Sequence, residues 1–156
     1  MHRRAAGVGI ASVSSTASIA ALASILAAGW AFGSLALGKQ RAWLERVASE
    51  RRGESICQFA HSFDPREVDT WVVRAVYETC QQELEFVHTK FPVRASDKLR
   101  ELLFDPDDLD MAIAPEVGRR AGRSLANAEM NPLYGKVYSV ADLVLFFNAQ
   151  PKTNET

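Results

Sequence analysis

Between Ala5 and Gly38 no position carries an ionisable side chain, and beyond Gly38 apolar residues return only at intervals. Residues 17–37 hold six Ile or Leu, one Phe, one Trp and eight Ala, enough for one membrane-spanning helix. About 20 residues at ~1.5 Å per residue cross a hydrocarbon core, where a helix satisfies its own backbone. A cleaved signal peptide is the rival, because Arg3 and Arg4 form a basic start and Ser34-Leu35-Ala36 resembles a cleavage site. The full spanning length, followed at once by Lys39 and Arg41, favours an uncleaved anchor over residues 1–38. Trp43, Leu44, Val47 and Ala48 then recur at helical spacing, so 39–53 reads as a basic amphipathic stalk ending near Gly53.

Residues 54–150 read as an all-α bundle. Ile56, Phe59, Ala60 and Phe63 outline a short helix. Asp64, Pro65 and Glu67 are a start signal for a longer one reaching about Val87, with Val68, Trp71/Val72, Ala75/Val76 and Thr79/Cys80 as its buried stripe. Residues 88–98 lack periodicity and contain Pro92, so they form a loop with Phe91 and Val93 turned inward. Asp105-Pro106-Asp107-Asp108 repeats the start device before Leu109, Ile113, Val117, Ala121 and Leu125. Pro115 must kink or restart this helix near 111–114, and Gly122 ends it. Residues 123–138 form a long loop with one helical turn. Ser139 opens the last helix, with Val140, Leu143, Val144, Phe146 and Phe147 inward and its end before Pro151, and 151–156 is a flexible tail.

The charges are unevenly placed. The total is −1, which argues against a globally basic nucleic-acid binder. Residues 39–52 carry five bases against two acids, whereas 53–156 carry eleven bases against seventeen acids. Five bases follow the apolar stretch and two precede it, so the positive-inside rule places the C-terminal domain in the cytoplasm, on a single-pass protein of the inner (cytoplasmic) membrane. Cys57 and Cys80 fit that compartment as free buried thiols. Gly29 and Gly33 form a GxxxG pair, which allows a homodimer through the span.

The order of helices, with an acidic motif at Asp105–Asp110 and a closing helix Tyr138-Ser139-Val140-Ala141-Asp142-Leu143-Val144 through Phe147-Asn148, resembles the acyl carrier protein fold over about residues 64–149. Ala95-Ser96-Asp97 leading into Asp107-Asp108-Leu109-Asp110 is similar to the carrier's approach to its Asp-Ser-Leu-Asp motif. Small bacterial proteins that look like degenerate carriers are the family it most resembles. In carriers the serine of that motif holds phosphopantetheine; here Asp108 stands in its place, and Asp105-Pro106 replaces the preceding turn. The resemblance therefore implies a carrier shape without the prosthetic arm, and no cofactor. A true acyl or peptidyl carrier would need modification on another serine, Ser96, Ser124 or Ser139; a cap is the simpler role for Ser139.

Candidate chemistry is sparse. Asp105, Asp107, Asp108 and Asp110 invite a cation, but an EF-hand loop from Asp105 would put Leu109 and Asp110 at its fifth and sixth positions, so no metal is expected. The same acids with Glu116 make a docking face: seven acids and two bases lie between Asp97 and Glu116, enough to steer a partner protein that carries a basic patch. His61 and His88 lack a carboxylate partner in any motif, and no nucleophile elbow, metalloprotease motif or phosphate loop occurs, so no catalytic residue is expected. Tyr134, in Asn131-Pro132-Leu133-Tyr134-Gly135, is expected to close over the core at a turn made by Gly135. The sequence supports a non-catalytic, membrane-anchored interaction module, against a secreted helical domain released by cleavage.

Overall fold

The computed structural model describes residues 37–153, and the expected span at 17–37 lies outside them except for Leu37. Gly29 and Gly33 lie outside them as well. Among the described residues no helix is long and apolar enough to cross a membrane. The chain divides into two units, Met1–Arg41 and Ala42–Thr156, and the buried core of the described residues belongs to the second. That second unit is helical, and among the described residues there is no strand, only the isolated bridges Lys98–Ser139 and Arg123–Lys152.

Helix α1 covers 37–50, and within the second unit its Leu44, Val47 and Ala48 belong to the buried core. From Ala42 on, the segment expected as a stalk is thus part of the bundle, because its three apolar positions share one helix face. Helix α2, Ile56–Ala60, starts in a capping box: Ser55 accepts from Cys57 N–H, and Gln58 accepts from Ser55 N–H at 2.9 Å. Its Phe59 ring lies 5.2 Å from Tyr77 and 5.4 Å from Phe63.

Helix α3 runs Thr70–Glu83, so it starts later than the Asp64 signal. Asp64 caps only a turn, accepting from Arg66 N–H at 2.9 Å. The true cap is Asp69, held by distant residues: its own N–H donates to Asn148 Oδ1 at 2.9 Å, and its carboxylate accepts from Trp71 N–H at 2.9 Å and from Arg123 Nη2 at 2.8 Å. Asn148 also donates to the Glu67 carbonyl at 3.0 Å, which fixes the break between turn and helix. Burial raises the Asp69 pKa, yet the Trp71 amide and the Arg123 guanidinium outweigh it and hold the carboxyl below its usual value. The buried stripe is Val72, Val73, Ala75, Val76, Tyr77, Thr79 and Cys80, while Trp71, expected inside, is 65% exposed because Val72 and Val73 take the inward side of the first turn.

Phe91 and Val93 are buried as expected, and they are joined by Leu99, Leu102 and Phe104 from a turn-rich stretch with no periodicity to announce them. Helix α4 is Pro106–Asp108; it passes into a π-turn, Leu109–Ile113, and then helix α5, Ala114–Ala121. The π-turn is how the chain accommodates Pro115, which has no amide to offer and whose ring would strike the carbonyl four residues back in a regular helix. Ala114 N–H accordingly reaches five residues back, to the Leu109 carbonyl. Gly122 stops α5 in the left-handed conformation, φ 59°. The expected helical turn in the following loop is a 3₁₀ turn at Ala128–Met130. Helix α6, Val140–Ala149, opens on Ser139, which accepts from Asp142 N–H at 3.1 Å, and buries all five expected residues. Three residues of the expected flexible tail are held: Pro151 accepts from Ser124 N–H, Lys152 bridges to Arg123, and Thr153 N–H donates to the Gly122 carbonyl at 2.9 Å.

A buried ion pair joins the turn after α1 to the irregular stretch 91–99. Arg51 donates to both Asp97 oxygens at 2.7 and 2.8 Å and to the Pro92 carbonyl at 3.2 Å, while Arg94 N–H donates to Asp97 at 2.9 Å. The Asp97 and Ala95 carbonyls accept from Val140 and Ala141 N–H, each at 2.9 Å, satisfying first-turn amides of α6. Replacing Asp97 by Ala strands the Arg51 charge and should cost about 3–5 kcal/mol of stability, read as a lower urea midpoint. Adding Arg51→Met to that variant should recover part of the loss, because the uncompensated charge is then gone.

Candidate functional site

The acidic segment Asp105–Asp110 begins α4, where unpaired amides and the positive helix end favour carboxylates. Its acids divide into two pairs with different roles. Asp105 accepts from Asp108 N–H at 2.9 Å, and Asp108 accepts from Asp105 N–H at 3.4 Å, a reciprocal capping box. The position that the carrier resemblance assigns to the attachment serine is therefore filled by a capping carboxylate. Asp107 and Asp110 are exposed, and their side chains make no hydrogen bond or ion pair among the described residues.

Met111 projects beside them, 81% exposed, three and four residues after Asp108 and Asp107 and next to Asp110. A helix carrying an uncovered methionine among four carboxylates offers both an apolar contact and a negative field. Glu116 does not share that field. It is bound by Arg119 at 2.6 Å and by Arg120 Nε at 2.5 Å, and these two hydrogen bonds hold its carboxyl down to about 2. Arg120 also donates to Gln82 at 2.6 Å and lies near Glu78, so this acid belongs to a charged network between α3 and α5. The spacing Glu116, Arg119, Arg120 carried that signal in the sequence.

The remaining reactive side chains stand apart. Cys80 is buried and its thiol is pushed up to about 12, first by burial and then by the charges of Asp97 and Glu83. Cys57, expected to be buried, is an exposed free thiol on the outer face of α2. His61 sits at the end of α2, and His88 Nδ1 accepts from Lys90 N–H at 3.2 Å. Tyr134 is exposed rather than closed over the core; Leu133 packs inward in its place, because the Asn131 side chain ties this turn to the Phe146 carbonyl at 2.9 Å. Gly135 makes the turn, with φ 69°. A groove of about 690 Å³ is lined by α2, residues 93–96 and the start of α6. Ser139 on its wall is occupied as a cap, and the Arg94–Glu54 ion pair crosses its rim. Among the described residues no three His, Cys, Asp or Glu side chains come together to hold a metal ion.

No protein-family model, curated protein or solved structure matches the chain.

The full chain incubated with a broad-specificity phosphopantetheinyl transferase and coenzyme A should show no mass gain if the carrier resemblance places Asp108 correctly, since attachment needs a hydroxyl at that position. Intact-mass measurement checks this. A gain lost on replacing one serine would make the chain a working carrier.

Proposed function

We propose that the chain is a membrane-anchored, non-catalytic interaction module that docks a partner protein bearing a basic patch on the start of α4. The observation that carries this reading is the exposed Met111 set among Asp105, Asp107, Asp108 and Asp110, with Asp107 and Asp110 unpaired. Charges steer the encounter and an apolar anchor holds the docked state, so the two together suit a protein partner better than a solvated face does. The resemblance to carriers that lack the attachment serine supports the same use of this helix, since carriers meet their enzymes through it. Glu116 serves the α3–α5 network in this reading and is not part of the docking set. The apolar stretch 17–37 is the anchor, with the domain on the cytoplasmic side.

Replacing Asp107 and Asp110 by Asn should weaken capture of the partner from native membranes and flatten its salt dependence, with an unchanged unfolding midpoint because neither side chain holds the fold. Met111→Ser should weaken capture without altering the salt dependence. Retention by both variants equal to that of the parent would leave this face as a solvated surface.

The orientation is tested by fusing a reporter active only in the periplasm to the C-terminus. No activity is expected, and strong activity would reverse the topology.

A further inference from the structure

Docking at α4 leaves the groove bounded by α2, residues 93–96 and the start of α6 without a role. Its volume of about 690 Å³ falls within the range of small-molecule sites, roughly 300–1,000 Å³. Each wall is held by bonds already made. Ser55 and Gln58 close the capping box of α2, the Arg94 N–H donates to Asp97 at 2.9 Å, and the Ala141 N–H donates to the Ala95 carbonyl at 2.9 Å, which ties the second wall to the third. A ligand entering here meets a preformed cleft, so little ordering opposes its binding.

The charges of the lining narrow what that ligand is. Arg94 donates through Nε to Glu54 at 2.8 Å and through Nη2 to the other oxygen of the same carboxylate. Hydrogen bonding from Arg94 holds the Glu54 carboxyl below its usual value, so both groups are charged at neutral pH. Neither is exhausted by the other. Arg94 Nη1 donates to no described residue, and a carboxylate has about four acceptor sites, of which Arg94 takes two. The two side chains are 51% and 27% exposed, and an exposed ion pair contributes little to stability, so it rearranges around a ligand at small cost. A net anion is repelled by Glu54 and a net cation by Arg94. A molecule with an ammonium and a carboxylate on one carbon satisfies both at once.

The rest of the polar lining is uncharged. The Ser62 and Ser96 hydroxyls and Gln58 Nε2 make no hydrogen bond to a described residue, and the Ser139 hydroxyl, which accepts from Asp142 N–H, keeps its proton free to donate. Groups of this kind suit a ligand side chain that exchanges neutral hydrogen bonds.

We propose that this groove binds a free α-amino acid with a polar, uncharged side chain, its carboxylate on Arg94 and its ammonium on Glu54. The ligand's side chain lies toward the serines and Gln58. The site requires neither the anchor nor a docking partner.

Titration calorimetry on the full chain in a non-ionic detergent tests it with three probes: L-glutamine; N-acetyl-L-glutamine, which lacks the ammonium; and the α-amide of L-glutamine, which lacks the carboxylate. Glutamine should bind about tenfold or more tighter than either derivative, the worth of one charge-assisted hydrogen bond. Glu54→Gln should abolish the preference over the acetylated probe and Arg94→Gln the preference over the amide, while Glu54→Asp, which keeps the charge, should retain the first preference. Variants that weaken all three probes by the same factor give the pair a structural role only and overturn the proposal. Equal affinities for the three probes, or no saturable heat from glutamine, do the same. Inorganic phosphate binding the parent chain as tightly as glutamine makes this an anion site and equally overturns it.

Discussion

A single residue, Asp97, is the point through which the end of α1, the irregular stretch 91–99 and α6 are held together. It receives two hydrogen bonds from Arg51 and one from the Arg94 amide, while the carbonyl of the same residue takes the Val140 amide of α6. A buried ion pair contributes little net stability compared with an apolar pair of the same shape, but it tolerates only one arrangement of its partners. The stretch 91–99 has no regular structure to hold it, so this arrangement fixes where Phe91, Val93 and Leu99 enter the core. The Asp69–Arg123 pair has the same role at the opposite end of α6, where Arg123 also donates to the Gln150 carbonyl at 2.8 Å.

The helices were legible wherever a local rule decided them. Ser139 with Asp142, Asp105 with Asp108, and Gly122 each satisfy helix ends by contacts within a few residues, and all three mark real boundaries. The start of α3 was not legible, because Asp64 and Asp69 are equally good local caps and the choice between them is made by Asn148 and Arg123 from far along the chain. Trp71 shares the spacing of the buried stripe, but Val72 and Val73 take the inward side of that first turn and leave it in solvent. Leu99, Leu102 and Phe104 were missed because side chains entering the core from turns follow no period.

The acidic motif was visible as a charge cluster, but its internal division was not. That Asp105 and Asp108 spend their oxygens on amides while Asp107 and Asp110 stay open follows from their phase around the first turn, which the residues do not state. Glu116 is near them in sequence, but Arg119 and Arg120 remove it from the open set. The exposure of Met111 could not be read from spacing, since a π-turn shifts every later residue away from the ideal helical count.

That shift separates the two halves of the segment from Pro106 to Ala121. A π-turn holds one more residue than the α-helical turn it replaces, and one residue corresponds to about 100° of rotation around a helix axis. In a regular helix, the side chains that pack α5 against α3 and those that α4 turns to solvent would have to share one repeating pattern. With the extra residue between them each half keeps a phase of its own, so mutations accumulating on the outward acids of α4 leave Val117 and Gly118 in register with the core. Evolution can therefore revise the exposed acidic surface and the packing surface of this segment as separate characters.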